Sequence, residues 1–420
     1  MKALKTPRAA SSEEDRELAT IVAGILRKIQ TGGDQAVEEL TQKLDGITVH
    51  NIRVSQQEIK NAYQSVDQAT IEHLEFAAAQ IRFFAEQQLA CFSPLETPSL
   101  VPGVTLGHRL IPVKSCGAYI PGGRYPLPSS ALMSVITAKV AGVKRVAACC
   151  PPSREHNAIH PAVLVAMDIA GADEVYVMGG AQAIAAYTFG TETIEKVDLI
   201  VGPGNKFVNE AKRQVMGRVG IDSLAGPSEV LIIADDSAVP EYVAIDLLAQ
   251  CEHDPSARSI LVTTSETLAV KVEAIMEQHV AELPTGQIAA KAWDDNGQIF
   301  LVDDLAEAVA IANDVAPEHL EVHTANDDEV SRALTNYGSL FIGSHTPVTF
   351  GDYVSGTNHI LPTAGTAKYS NGVWVGTFIK TSLYQKVSSE GAKNLAAACM
   401  HLADVEGLAA HRKSVALRVE

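Results

Sequence analysis

The chain is poor in cysteine, in aromatic residues and in long apolar runs. Of its 420 residues, 6 are cysteines and 5% are aromatic. The cysteines have neither the density of a disulfide framework nor a CxxC spacing, so we expect reduced thiols and no zinc site built from four cysteines. No apolar run approaches the roughly 20 residues that span a bilayer, and the N-terminus lacks the apolar stretch of a secretory signal. These absences predict a cytoplasmic protein without a membrane partner.

The charge balance argues against nucleic acid as a partner. The formal net charge is −17, and the acidic residues are spread along the chain, which predicts solubility and repulsion from polyanions. Hydrophobic residues at 46% and charged residues at 20% are ordinary values for a folded globular protein. The length favours two domains with additional segments.

From about Val113 the sequence alternates short β-branched runs with longer Ala-rich amphipathic runs. This rhythm is typical of βα units around a mostly parallel sheet. The candidate strands are CGAYI, KRVAACC, EVYVM, KVDLIV, EVLIIA, SILVTT, QIFLV, HLEVHT and SLFIG. They are too many for one small sheet. We therefore predict an α/β fold of two α/β domains with mostly parallel, incomplete Rossmann-like sheets and helical N- and C-terminal segments.

The predicted domain boundaries follow the change of rhythm. Gly226 and Pro227 interrupt the alternation and place a boundary near them. We expect a helical segment at 1–19, a discontinuous α/β domain at 20–119 and 230–381 that carries the catalytic chemistry, an inserted α/β domain at 120–229 for a nucleotide cofactor, and a helical tail at 382–420.

Three glycine-bearing turns follow predicted strands: YIPGGRYP, MGGAQAIAA and VGPGNKFVNEAK. Turns of this kind lie at the carboxyl ends of strands, where open α/β sheets bind ligands, and the helix start suits a pyrophosphate. The last turn has Phe207 where a GxGxxG fingerprint needs its third glycine, so simple chain reversal remains an alternative. Tyr119, Gln182 and Asn205 stand beside the glycines, where a cofactor would lie.

Gln250 and His253 are candidates for metal ligands because one helical turn separates them. An amide oxygen and an imidazole nitrogen at this spacing converge on one point. Two further metal-capable groups, Asp352 and His359, lie in the polar stretch HTPVTFGDYVSGTNHILPT. An irregular surface loop that satisfies itself through Asx turns is the alternative there.

Glu318 and His319 are adjacent in APEHL, where a helix meets a strand, and an acid beside an imidazole suits general-base catalysis. Adjacent side chains usually point apart, so a solvated corner is the alternative. His411 is a lone histidine in an Ala-rich helical stretch, and this pattern alone predicts a surface or packing residue. Cys251 points about 100° away from Gln250 on a helix, towards Leu247 and Leu248, and we interpret it as an inert thiol.

Seven motifs occur in the order found in histidinol dehydrogenases: YIPGG, GGAQAIAA, GPGNKFV, AGPSEVLIIAD, DLLAQCEHDP, APEHLE and GDYVSGTNHILPT. Over essentially the whole chain the sequence resembles that family. The resemblance implies oxidation of L-histidinol to L-histidine by two hydride transfers to NAD through an aldehyde-level intermediate. It also implies a homodimer in which the C-terminal tail of each subunit reaches the site of its partner.

The resemblance further assigns roles to individual residues. A zinc ion would be held by Gln250, His253, Asp352 and His411. Glu318 would activate water, and His319 would accept protons. Substrate contacts would come from the zinc ligands, His319, Ser228 and Glu406, with His359 as an addition, and NAD contacts from Tyr119, Gln182 and Asn205. Rival interpretations are a dehydrogenase of another amino alcohol, a zinc hydrolase and a non-catalytic binding module.

Overall fold

The computed structural model describes residues 2–7, 14–49, 51–122, 125–224 and 226–420. The strands are β1 (Lys2–Lys5), β2 (Leu95–Pro98), β3 (Val104–Pro112), β4 (Ser115–Tyr119), β5 (Arg145–Cys150), β6 (Glu174–Val177), β7 (Leu199–Val201), β8 (Gly220–Ile221), β9 (Glu229–Ala234), β10 (Arg258–Thr263), β11 (Gln298–Leu301), β12 (His319–His323), β13 (Ser339–Ile342) and β14 (Ile379–Val387). The α-helices are α1 (Glu14–Asp45), α2 (Gln56–Ser65), α3 (Gln68–Ala90), α4 (Pro128–Val140), α5 (Pro161–Ala170), α6 (Gly180–Phe189), α7 (Lys206–Val215), α8 (Pro240–Cys251), α9 (Glu266–Glu282), α10 (Gly286–Asn296), α11 (Leu305–Val315), α12 (Asp327–Ala333), α13 (Val348–Tyr353), α14 (Ser389–Val405) and α15 (Ala409–Ala416). None of these helices is both long and apolar enough to cross a membrane.

Two mostly parallel sheets organise the chain, as the sequence predicts. The larger has the order β1-β11-β10-β9-β12-β13, in which only β1 runs antiparallel to its neighbour. The smaller has the order β6-β5-β4-β7-β8 and is parallel throughout. All nine predicted strands are confirmed, because buried β-branched runs between amphipathic helices have few other stable arrangements.

A third, antiparallel sheet of β2, β3 and β14 was not predicted. Its strands expose apolar side chains, among them Leu106 and Leu383, so they lack the continuous apolar runs of the other sheets. The predicted helical tail is corrected here, since 382–387 belong to β14 and helix begins only at Ser389. The predicted helical segment 1–19 is corrected as well, because Lys2–Lys5 pair with β11 at a sheet edge; residues 8–13 of that segment lie outside the described part.

Helices α1 to α3 cover the five-stranded sheet. Val22 and Ile29 of α1 join the core formed with α6 and α7 on one face, whereas Leu74 and Ile81 of α3 join the core with α4 and α5 on the other. This packing differs from the predicted grouping of 20–119 with 230–381. Sequence rhythm shows that these helices are amphipathic, but it does not show which sheet they cover.

Strand β12 divides its side chains between the two faces of the larger sheet. Leu320 and Val322 enter the apolar core beneath α11 and α12. By the two-residue period of a strand, His319, Glu321 and His323 face the opposite side, where α8 lies. All three polar side chains are buried, so their hydrogen-bond partners determine whether this arrangement is tolerated.

A buried ion pair fixes the glycine turn after β7. The ammonium of Lys212 on α7 lies 2.6 Å from a carboxylate oxygen of Asp222, and both side chains are almost fully buried. The other oxygen of Asp222 accepts a hydrogen bond from the amide of Gly202 at 2.8 Å, and Lys212 donates to the carbonyl of the same glycine at 2.5 Å. Both backbone polar groups of Gly202 are therefore held by buried charges.

We expect Lys212→Met to lower the free energy of unfolding by about 3–5 kcal/mol, because it leaves the carboxylate of Asp222 buried without its cation. The matched control is Arg213→Met, which removes an exposed partner of Glu210 and should cost less than about 1 kcal/mol. Urea denaturation of the two variants measures both values. Equal losses would contradict a special role for the buried pair.

Candidate active site

The candidate catalytic residues lie at the amino edge of the six-stranded sheet. His319 is the first residue of β12, Glu318 directly precedes it, and Ser228 directly precedes β9 on the neighbouring strand. Glu318 and His319 are buried, so the alternative of a solvated corner is wrong. Both side chains turn inward after Pro317, where the backbone of β9 supplies a hydrogen-bond partner for each of them.

The imidazole of His319 has one nitrogen engaged and one free. Its Nδ1 lies 3.0 Å from the carbonyl oxygen of Glu229, and since a carbonyl only accepts, Nδ1 carries the proton. The Nε2 atom is buried without a hydrogen-bond partner and lies 3.8 Å from a carboxylate oxygen of Asp352. Burial lowers the pKa of His319 to about 3, so the ring is neutral and Nε2 presents a lone pair.

The carboxyl group of Glu318 is also held by β9. One oxygen accepts a hydrogen bond from the amide of Glu229 at 3.0 Å and lies 3.6 Å from Nδ1 of His319. Burial raises the pKa of Glu318 well above its ordinary value, and a hydrogen bond from Ser228 opposes this rise. When it is ionised, a carboxylate of this kind is a stronger base than an exposed one.

Asp352 lies beside the free nitrogen of His319, and Nδ1 of His359 lies 4.0 Å from the same carboxylate oxygen of Asp352. Nδ1 of His359 donates to the backbone carbonyl of Asp352 at 3.1 Å, and its Nε2 lies 3.0 Å from the hydroxyl of Ser130 on α4. Both nitrogens of His359 are thus engaged within the chain. His253 is close enough to affect the pKa of both His319 and His359.

Gln250 and His253 end the helix differently from the prediction. Helix α8 stops at Cys251, so His253 lies in the following turn. The backbone amide of His253 donates a hydrogen bond to the carbonyl of Gln250 at 3.3 Å. Gln250 is buried, and His253 is exposed. Neighbouring groups nevertheless desolvate the imidazole of His253 and lower its pKa, which favours the neutral form that binds metals.

The three proposed cofactor residues lie at the carboxyl edge of the five-stranded sheet. Tyr119 ends β4, and its hydroxyl accepts a hydrogen bond from the amide of Gly180 at 3.2 Å. Gln182 is buried in the first turn of α6 with its amide oxygen unpaired, and Asn205 caps α7 by accepting from Phe207 and Val208. Because β4 and β7 are neighbours from which the chain order diverges, this edge is a topological switch point.

One cavity of about 90 Å³ lies between the glycine turn after β7 and the carboxyl group of Glu318. The glycine turn from Gly202 to Gly204 lines one side, and Ser228, Glu318 and His359 line another. The carboxyl edge of the smaller sheet therefore meets the amino edge of the larger one at a shared opening.

Two predicted residues, Glu406 and His411, are not part of this site in a single chain. Both are exposed, at the end of α14 and on α15, helices that pack against each other. Cys251 is buried beside Leu247 and Leu248, with its sulfur 3.2 Å from the hydroxyl of Ser259. Burial raises its pKa to about 11, which disfavours the thiolate and agrees with the interpretation as an inert thiol.

Sequence reasoning missed Glu229 and Ser130, which hold His319 and His359. Glu229 opens the strand EVLIIA and holds His319 through its backbone carbonyl, a role that no side-chain pattern indicates. Its own carboxylate accepts from the amide of Ala364 at 2.9 Å. Ser130 had no signal either, because it is one of three serines in α4.

The donors near the free nitrogen of His319 suit a zinc ion. They comprise neutral imidazole and carboxylate oxygen, with the amide of Gln250 at the adjoining helix end, and such mixed nitrogen and oxygen sets bind zinc. The unpaired buried nitrogen of His319 is the observation that calls for a polar occupant, whether metal or substrate.

A two-sheet α/β fold in which the buried carboxyl group of Glu318 faces a glycine turn across one cavity is typical of an enzyme. A sequence profile of the histidinol dehydrogenase family matches residues 8–419. A histidinol dehydrogenase homolog of Shouchella clausii is 49% identical over 95% of this chain and 93% of its own length. Histidinol dehydrogenase of Methanothermobacter thermautotrophicus is 46% identical over 95% and 92%.

The crystal structure of histidinol dehydrogenase from Elizabethkingia anophelis matches with a TM-score of 0.92 and 38% identity, covering 98% of this chain and 94% of that one. The chain therefore belongs to the histidinol dehydrogenase family of oxidoreductases. The resemblance and the fold class expected from the sequence are confirmed.

The low pKa of His319 predicts an acid-sensitive contribution to stability in the metal-free protein. Between pH 6.5 and about 3 the unfolded chain binds a proton at this residue and the folded chain does not, so folding stability is lost as the pH falls. Relative to the wild type, His319→Asn should gain about 2 kcal/mol between pH 6.5 and 4.5. Urea denaturation of chelator-treated protein at both pH values measures the difference. Identical pH slopes for the two proteins would contradict the prediction.

Proposed function

We propose that the protein oxidises L-histidinol to L-histidine with NAD and zinc, in two successive oxidations through an aldehyde-level intermediate. The observation that carries this proposal is the shared cavity, in which the glycine turn of one sheet faces Glu318 at the edge of the other. The names of the relatives support the substrate. A cofactor bound at the glycine turn would face a substrate bound beside Glu318.

Gln250, His253 and Asp352 would hold the zinc ion, together with His411 of a second subunit. Bound there, zinc supplies fixed coordination sites that orient the nitrogen atoms of the substrate. Burial lowers the pKa of His253 and raises the pKa of Asp352 to about 7. A cation bound between them would favour the deprotonated form of both side chains, which is the form that binds metals.

His319 would accept the proton of the alcohol at its free Nε2 atom. The carbonyl of Glu229 keeps the proton of the neutral ring on Nδ1, so Nε2 is available as a base and the developing positive charge is stabilised by Asp352 at 3.8 Å. Glu318 would take a proton from the water needed for the second oxidation. Its raised pKa gives the ionised group the basicity that this step requires.

Tyr119, Gln182 and Asn205 would position NAD at the switch point of the smaller sheet. NAD supplies the acceptor for hydride at each oxidation. Tyr119 braces the start of α6 through Gly180, and the buried Lys212–Asp222 pair keeps the facing turn rigid. The unpaired amide oxygen of Gln182 is the polar group left for the cofactor.

We further propose a homodimer in which α15 of one subunit brings His411 to the other. Helix α14 carries the exposed apolar side chains Leu402 and Val405, and Leu417, directly after α15, is exposed as well, which favours burial against another surface. His253 is exposed in the single chain, as expected of a ligand that meets one from outside.

The proposal predicts two NADH per L-histidinol, with turnover lost after chelation and restored by zinc. His319→Asn should lower kcat by about 10²- to 10⁴-fold for both oxidations. Glu318→Gln should impair oxidation of the corresponding amino aldehyde more than oxidation of the alcohol, because only that stage needs water. NADH absorbance measures all of these rates, starting from either substrate.

The matched control is Glu277→Gln, the same change on the exposed side of α9, which should leave both rates unchanged. Failure of zinc-loaded wild-type protein to form NADH from L-histidinol would refute the proposed function. Turnover of another amino alcohol would then favour the rival dehydrogenase. Zinc-dependent hydrolysis without NAD would favour the hydrolase.

A shared site predicts complementation between inactive variants. Each proposed site takes Glu318 from one subunit and His411 from the other. A mixed dimer of His411→Ala and Glu318→Ala therefore has one site with both residues intact and one site with both replaced. Unfolding and refolding the two variants together should recover up to about a quarter of wild-type activity if subunits pair at random. Refolding each variant alone is the control, and no recovery in the mixture would argue against a tail that crosses between subunits.

A further inference from the structure

A buried polar network lies on the α8 side of β12, alongside the catalytic residue His319. Asp246 on α8 and Glu321 and His323 on β12 have side-chain atoms that all lie within 4.8 Å of one another. Glu321 is completely buried and His323 almost so. None of the three is among the residues to which sequence or mechanism gave a role.

Glu321 connects three segments of the chain through its carboxylate. One oxygen accepts a hydrogen bond from the amide of Val348, the first residue of α13, at 2.9 Å. The other lies 3.2 Å from Nε2 of His323 on its own strand. A carboxylate oxygen of Asp246 on α8 lies within 4.8 Å of one of Glu321, and burial and this proximity together raise the pKa of Asp246. Strand β12, α8 and α13 therefore meet at this one side chain.

Each of these segments also carries a residue of the proposed site. His319 precedes Glu321 on the same face of β12. Gln250 follows Asp246 by about one turn, on the same face of α8. Asp352 lies in α13, whose first amide is the one that Glu321 binds.

We propose that Glu321 is a positioning residue that ties α8, β12 and α13 together and so sets the spacing of the zinc ligands around His319. This inference rests on the proposed zinc-dependent function. Glu321 does not touch the reacting atoms. It acts through the elements that carry the ligands, as outer hydrogen-bond partners do at metal sites generally.

The charges of the network are consistent with a structural tie. Burial, together with the charge of Glu321, raises the pKa of Asp246 to about 7, which favours a shared proton between the two carboxyl groups. Although burial opposes it, the hydrogen bond and charge of Glu321 raise the pKa of His323. Buried polar side chains that satisfy one another fix one geometry. The bonds of Glu321 to Val348 and His323 do this here, although Nδ1 of His323 itself has no hydrogen-bond partner.

The test compares four variants of the full-length protein. Glu321→Ala removes all three connections, and Asp246→Ala removes the connection to α8. Asp246→Asn replaces the shared proton with an amide donor and should preserve that connection. The control is Val322→Ala, the adjacent buried position on β12, which faces the core beneath α11 and α12 instead.

Zinc affinity of the metal-free protein is measured by competition with a chromogenic chelator, and kcat and KM are measured separately. Glu321→Ala and Asp246→Ala should bind zinc about 10- to 100-fold more weakly, whereas Asp246→Asn should keep most of the affinity. Val322→Ala should lower the melting temperature and leave zinc affinity unchanged.

Wild-type zinc affinity in both alanine variants would overturn this inference and leave the proposed function intact. Equal weakening in Val322→Ala would do the same, because it would reduce the effect to general loss of stability. If Glu321→Ala does not fold, the contrast between Asp246→Ala and Asp246→Asn decides the question. Absence of zinc-dependent NADH formation in the wild type would overturn the proposed function and this inference with it.

Discussion

The hydrogen bond between Nδ1 of His319 and the carbonyl of Glu229 determines the chemistry available at this site. A backbone carbonyl cannot donate, so the bond fixes which nitrogen of the neutral ring carries the proton. It also joins two adjacent parallel strands, β9 and β12, whose register is set by the whole sheet. The amide of the same Glu229 holds Glu318. One residue of strand backbone therefore orients the acid and the imidazole together.

The two sheets contribute opposite edges to the cavity. The five-stranded sheet presents its carboxyl edge, where helix starts and glycine turns favour an anionic ligand. The six-stranded sheet presents its amino edge, where the last turn of α8 and the beginnings of β9 and β12 lie. The general rule for ligand binding in open α/β sheets covers only the first of these edges. The second can be used because the polar side chains there find partners on neighbouring strands.

Sequence reasoning was most successful where a residue's neighbours in the chain decide its environment. The nine strands belong to this class, as does Cys251, whose helical position placed it in the core. It was less successful where distant segments decide. The exposed antiparallel sheet has no apolar signature, and the sheet covered by α1 to α3 depends on surfaces remote in sequence. Ser130 and Glu229 became recognisable as supports only once their partners, His359 and His319, were seen beside them. The roles of Glu406 and His411 depend on a second subunit and remain proposals.

The pairing of β14 with β3 has a consequence for how the chain folds during synthesis. Ile379 pairs with Pro112 and Val387 with Val104. The outer edge of β3 therefore stays unpaired until β14, more than 260 residues later in the sequence, has been synthesised. Until then the nascent protein presents a strand edge with exposed apolar side chains, a state prone to pairing with other chains. Such distant pairing slows folding. The pairing of β14 therefore also removes this edge of β3 as a place where other chains could pair.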